Sequence, residues 1–236
     1  MRIYIYIKAE VNYYHGVRKP EQTLAPQQAR SRESLIKLLK ATVEVLGQHG
    51  VAGTTIPRIA AHAGLTPGAV YRRFRNKDVL LETAILRILE DQRKVLLLSL
   101  TVEAAAEIPF PTLAEQVINS LILSYRVNAR LLRAVRQFLQ DNEGTPFWKK
   151  ASRLEMRTFE YLVTILVTSG QEIKHAEPRA AAALALMMVS ATLWEVIVNP
   201  GDVKAWKGLL PKDDRTLKSE LTRAFLNYLG VERKAR

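Results

Sequence analysis

The 236-residue chain contains no cysteine. That excludes disulfides, thiolate metal sites and a cysteine nucleophile, and it permits a cytoplasmic location without requiring one. Its four histidines, His15, His49, His62 and His175, are scattered. They form no His-Glu zinc pattern, and the chain has neither a glycine-rich phosphate loop nor a serine set in a nucleophile elbow. A catalytic site would have to be assembled from isolated residues, so an enzyme is the least favoured class, and neither metal nor cofactor is expected. Long apolar runs are also missing. The best candidate, 180–198, is interrupted by Ser190, Thr192, Trp194 and Glu195, short of the roughly 18 uninterrupted apolar residues of a membrane span. Arg2 to Tyr6 alternate in a strand-like way, but Lys8 and Glu10 follow at once, so the apolar core of a signal peptide is absent. A soluble, cytoplasmic protein with no membrane partner is expected.

Acid is scarce as well: 23 Asp and Glu stand against 35 Lys and Arg, a net charge of +12. The excess is uneven. Residues 1–80 hold 13 basic and 5 acidic side chains, a net of +8, whereas the remaining residues hold 22 and 18, a net of +4. A high isoelectric point alone would suit a membrane-surface or RNA-binding protein equally, so the asymmetry is what directs attention to the first third of the chain.

Helical periodicity dominates what is present. Leu35, Leu38, Leu39, Thr42, Val43 and Leu46 share one stripe and predict an amphipathic helix over 31–49, ending near Gly50. Ile56, Ile59, Ala60 and Ala63 then repeat at helical spacing, with Thr55 as cap, Pro57 in the first turn, and Gly64 as terminator. Thr66 and Pro67 open a further short helix, whose Val70 and Phe74 point back to the core. Its front carries Pro67, Gly68, Ala69, Arg72 and Arg73: small at the N-terminal end, where a helix pressed into a major groove needs close approach, and cationic beyond. Tyr71 has two readings, a half-buried core aromatic or a hydroxyl donor to a phosphate oxygen. Adjacent Arg72 and Arg73 lie about 100° apart on a helix, so only one points straight into a groove; Arg72 is assigned to bases and Arg73 to backbone or water. A fourth helix is expected from near Asn76, through Leu80, Leu81, Ala84, Ile85, Ile88 and Leu89. Lys77 in its first turn opposes the helix dipole, which an anion at that end would explain.

This pattern of helix, Gly50, Thr54-Thr55, Ile59-Ala60, Ala63-Gly64, Thr66-Pro67-Gly68, Val70-Tyr71, Phe74, Asn76-Lys77 and Leu80-Leu81 resembles the TetR family of transcriptional regulators over roughly residues 31–92. The resemblance implies a helix-turn-helix at 55–74 with Pro67 to Phe74 as recognition helix. It also implies phosphate contacts from Tyr71 and Lys77, and bases nearest to Thr66, Pro67, Gly68, Ala69 and Arg72; Thr55 completes the expected DNA-binding set. Pro57 departs from members in which that position of the supporting helix reaches DNA. By the same resemblance the remainder is a helical domain that dimerises through its last two long helices and binds a small effector in its interior.

The residues beyond 92 fit an all-α second domain, so the expected division is a flexible extension at 1–29, a DNA-binding domain at 30–92 and an effector-binding and dimerisation domain at 93–236. Breaks at Pro109-Phe110-Pro111, Asp141 to Gly144, Gly170 to Pro178 and Asn199 to Pro211 delimit helical segments at 112–140 (read as two helices), 145–169, 178–198 and 213–229. The alanine-rich run 179–189 and the closing stripe suggest a dimer seam of Ala181, Leu184, Met188, Leu217, Leu221 and Phe225. Aromatics and methionines suggest a pocket lining of Tyr125, Phe138, Trp148, Phe159, Met187 and Trp194. Glu195 is either a contact to a cationic or hydroxylated ligand or an ordinary solvent-facing or interface residue. Arg126, Arg130, Arg133 and Arg136 form a cationic stripe that could greet an acidic ligand but reads first as a solvated face.

The expected function is therefore a ligand-responsive DNA-binding regulator. Its partners are a palindromic double-stranded operator, a second copy of itself and a small-molecule effector, with repression the commoner mode in the proteins it resembles. The alternative is a non-specific or RNA-binding basic helical protein, whose affinity would fall with salt and hardly depend on sequence.

Overall fold

The computed structural model describes residues 26–169, 173–199, 201 and 208–231. Among them the helices follow in the order α1 (Pro26–Gly53), α2 (Ile56–Ala63), α3 (Pro67–Tyr71), α4 (Lys77–Ser99), α5 (Val102–Ala106), α6 (Phe110–Asp141), α7 (Pro146–Ser169), α8 (Pro178–Leu193) and α9 (Asp214–Tyr228), with no strand in the described residues. The expected all-α fold is found. Most of the extension expected at 1–29 lies outside the described residues, but α1 already starts at Pro26, where a missing N–H costs an opening turn nothing. Its regular part stops at Gly50, whose φ of 66° and ψ of −177° are open only to glycine.

Three elements depart from the expected pattern. Residues 112–140 form one helix rather than two, because α6 contains no proline or glycine after Pro111 and its mid-helix Asn128 satisfies its amide on the Ser124 carbonyl at 3.0 Å. α5 was not anticipated: at five residues it is too short for periodicity to reveal, and it is opened by Thr101 accepting from the Ala104 N–H at 3.2 Å. α4 runs on to Ser99, past the boundary expected at residue 92.

By their contacts the residues divide into two compact units, one comprising those up to Ile88 with Arg130–Ala151, the other Leu89–Ala129 with those from Ser152 onward. In the first unit α1, α2, α3 and the start of α4 bury Leu38, Val45, Ile59, Val70, Phe74 and Leu80 in a shared core; each large aliphatic so buried contributes about 1.5–3 kcal/mol. The C-terminal half of α6 joins the same unit: a Cβ built on Gly47 of α1 would lie 3.3 Å from the Leu131 Cβ. Phe138 and Phe147 meet edge to face at 5.5 Å across the α6–α7 turn.

In the second unit α9 is fastened to α6 by a forked Arg126–Asp214 pair, 2.7 Å at its shortest, and by Lys218–Glu115 at 2.8 Å. Arg126 thus holds α9, and the cationic stripe it begins is partly structural. Asp213 caps α9 by accepting from the Thr216 N–H at 2.8 Å. That bond holds its carboxyl below the usual carboxylate range. α8 continues into a π-turn at Trp194–Val198, closed by the Asn199 N–H on the Trp194 carbonyl at 2.8 Å. Against expectation, Pro178–Val198 (21 residues), with an 18-residue window of mean hydropathy 2.0, has the length and composition of a membrane span; 56% of that window is buried within the protein.

Candidate nucleic-acid interface

The short α3 is positioned by a chain of local devices. Thr54, fully buried, donates its hydroxyl to the Gly50 carbonyl at 2.6 Å and so fixes the exit from α1. Thr55, extended at φ −117°, caps α2 by accepting from the Arg58 N–H at 3.4 Å. At the other end of α2 the Gly64 N–H reaches the Ala61 carbonyl at 3.2 Å and the Leu65 N–H the Ala60 carbonyl at 2.8 Å. This paired closure needs a left-handed residue at the turn, and Gly64 supplies it at φ 67°. Leu65 then packs on the core. Thr66 caps α3 through the Ala69 N–H at 3.2 Å, and Pro67 fills the opening turn.

α3 is shorter than the expected Pro67 to Phe74, yet the Arg73 and Phe74 N–H groups still bond to the Val70 carbonyl at 2.9 and 3.0 Å. The helical course is therefore kept long enough to bury both Val70 and Phe74, with the opposite face outward. Thr66, Pro67, Gly68, Tyr71, Arg72 and Arg73 are exposed, and Ala69 is half-buried. A Cβ built on Gly68 would meet nothing within 4 Å, so no packing inside the protein demands a glycine there. Tyr71 is 55% exposed; of its two readings, the core aromatic fails.

The cations differ in how they are held. Arg72 stands exposed at the end of α3. Arg73 donates to the Ser31 carbonyl at 3.1 Å and to the Ser31 hydroxyl at 3.3 Å, linking α3 to the start of α1. Lys77 is half-buried and directs Nζ at the Val51 carbonyl, 3.5 Å away, so the electron-rich partner it meets within the protein is the closing segment of α1. Asn76 caps α4 by accepting from the Val79 N–H at 2.9 Å, and Asp78 sits in that first turn, where a carboxylate is favoured. On the outer side of α2, His62 and Glu44 pair at 2.7 Å, and Arg58 bonds to the Gly53 carbonyl. Ser31 and the Val51 carbonyl were not among the sequence candidates. Neither carries a local signal, because each acts only through a partner more than 20 residues away.

The second unit contains a pocket of about 260 Å³ between α4, α6 and α7. Buried Leu113, Leu121 and Leu162 line it, with Ser99, Gln116 and Ser120 contributing polar atoms. None of the residues expected to line an effector site borders it. Phe138 and Trp148 belong to the first unit, and Tyr125 and Trp194 are core side chains of the second. Phe159 is half-buried, and Met187 and Glu195 are exposed. Aromatics and methionines mark a core as readily as a pocket, whereas this pocket is made of leucines and small polar groups.

The expected seam is also redistributed. Ala181, Leu217 and Phe225 turn inward and are buried, and Leu221 is half-buried, whereas Leu184 and Met188 are 46% and 42% exposed. With Ala180 and Met187 they make an outward apolar stripe along α8.

Comparison with known proteins adds the following. The profile described as bacterial regulatory proteins, tetR family, matches residues 38–84, the span that builds the core beneath α3. Two HTH-type transcriptional regulators of Chromohalobacter salexigens, BetI 2 and BetI 1, are 42% and 44% identical over 55 residues, 23% of this chain. The chain spans about a quarter (27%) of the length of these curated relatives. Among solved structures, the transcriptional regulator FadR from Bacillus subtilis, in complex with stearoyl-CoA, superposes with TM-score 0.59 at 18% identity, covering 82% of this chain and 98% of that one. NalD, the secondary repressor of the MexAB-OprM multidrug efflux pump in Pseudomonas aeruginosa, gives 0.55 at 20% identity, covering 87% and 100%. Residues 38–84 of the first unit thus match the tetR family of bacterial regulatory proteins, and the chain shares the helical fold of these solved regulators.

Proposed function

We propose that the protein is a sequence-specific DNA-binding transcriptional regulator. It acts as a homodimer on a palindromic operator, as a repressor released when a small molecule binds the second unit. The observation that carries this reading is the leading edge of α3. Thr66, Pro67 and Gly68 are exposed and nearly free of side-chain bulk, on a helix whose other face is locked into the core by Val70 and Phe74. A small front on a rigidly held helix suits entry into a major groove, with Arg72 beside it for base edges and Tyr71 for a phosphate. Arg73 and Lys77, already bonded within the protein, hold α3 and α4 in place, and Lys77 adds charge near the DNA backbone.

A helix this short binds weakly alone, so two copies spaced about one DNA turn apart provide specificity. The exposed stripe of Ala180, Leu184, Met187 and Met188 is the surface we assign to that pairing. α4 begins at Lys77, after α3, and near its end contributes Leu96 and Ser99 to the pocket lining, so a ligand that favours one placement of its far end biases the placement of its near end. That neighbours of the same fold include a repressor and a protein that holds stearoyl-CoA supports repression and an internal effector.

Genomic fragments retained by the protein in competition with random duplex, then sequenced, test the reading. A recurring inverted repeat is expected. Retention without any shared motif would instead favour a non-specific nucleic-acid binder.

A further inference from the structure

We infer that the pocket between α4, α6 and α7 selects an uncharged ligand, a compact apolar molecule of about ten non-hydrogen atoms carrying one or two hydrogen-bonding groups, such as a medium-chain alcohol, ketone or ester. The inference rests on the regulatory reading above and specifies the effector class.

Three observations carry it. The lining holds no ionisable side chain: its polar members are Ser99, Gln116 and Ser120, and all else is aliphatic. A carboxylate or ammonium carried inside would exchange water for leucines at a cost of several kcal/mol, and one left at the rim would meet no opposite charge in the lining to hold it there. The polar groups lie at one end. Gln116 and Ser120 are exposed and one turn apart on α6, and Ser99 is exposed on α4, whereas Leu113, Leu121 and Leu162 are buried. A ligand would place its carbon part against the leucines and its oxygen at the rim. There the Gln116 amide can donate or accept, and the Ser99 oxygen, whose proton is directed to the Leu96 carbonyl at 3.3 Å, is left to accept. Size sets the third limit. A space of about 260 Å³, filled at the interior density of about 0.74, takes roughly ten carbon or oxygen atoms. The lining residue Leu100 is tied down, because Tyr161 on α7 donates its hydroxyl to the Leu100 carbonyl at 2.8 Å. A long acyl chain would extend beyond this space.

The test is titration calorimetry of the full chain, without DNA, against 1-octanol, 2-octanone, octanoate and octylammonium at neutral pH, for the natural sequence and for Ser120→Trp and Gln116→Leu. Octanol or octanone is expected to bind at least tenfold more tightly than either ion. Ser120→Trp, which fills the space from an exposed position and so spares the core, should abolish binding, and Gln116→Leu should weaken it about three- to tenfold. Octanoate or octylammonium binding as tightly as octanol, unchanged binding in Ser120→Trp, or no binding of any probe would each overturn the assignment. Because this readout contains no DNA, a protein that binds octanol yet keeps its operator affinity would preserve the pocket assignment while removing ligand release from the proposed function.

Discussion

Gly68→Ala separates what α3 does for the protein from what it does for a partner. Glycine in a helix is ordinarily a cost, about 0.5–1 kcal/mol relative to alanine. At position 68 that cost has no internal justification: a Cβ would meet nothing within 4 Å, and the residue lies within a helix with no left-handed φ to excuse it. The substitution should therefore leave the fold intact and stabilise the first unit by up to about 1 kcal/mol, seen as a slight rise in Tm. If the bare edge exists so that DNA can approach the backbone, the same methyl must push the helix out of the groove or force a repacking of roughly 1–3 kcal/mol per reading head, about 5- to 150-fold in Kd. Fluorescence anisotropy on the recovered operator measures the loss, with thermal denaturation of the same sample as control. A variant that is more stable and binds as tightly as the natural protein would refute the reasoning, since Gly68 would then not face the DNA.

Other perturbations probe separate links. Lys77→Ala should lower affinity for all duplexes about equally and reduce the slope of log K against log salt by roughly one; an unchanged slope together with a lower Tm would leave Lys77 only its bond to the Val51 carbonyl. Ile59→Ala, at a fully buried position between α2 and α1, should cost about 2–5 kcal/mol in denaturant unfolding. Leu184→Glu should yield a folded monomer by light scattering, while Leu217→Glu, which buries the new charge, should unfold the second unit; a dimeric Leu184→Glu protein would move the seam off α8. Asp213 has its carboxyl pKa lowered by folding, so its contribution is present above the unfolded carboxylate pKa and is lost as pH falls through the lower folded value. Asp213→Asn, which keeps a capping oxygen, should flatten that part of the acid limb in a melt series below about pH 4; an identical acid limb would mean the cap carries no such linkage.

The first unit was legible because its devices are local. Thr55, Gly64 and Thr66 act on backbone groups within five residues, so sequence spacing states the geometry, and the structure repeats it almost bond for bond. The outward faces were less legible. Periodicity says that Ala181, Leu184 and Met188 are apolar, but not that the first turns inward while the other two face out, because an alanine-rich helix has apolar residues on every side. The pocket was hidden for a related reason: Gln116 and Ser120 look like an ordinary polar face of α6, and only the packing of α4 and α7 beside them makes a cavity. Ser31 and the Val51 carbonyl became visible only once distant segments were brought together.

The most direct measurement of the central claim is the affinity of the full chain for its recovered inverted repeat against the same duplex with the repeat scrambled, at one salt concentration near physiological. The account predicts a preference of 10³ or more, with two chains bound per duplex. Equal affinity for the two duplexes, falling steeply with salt, would contradict it.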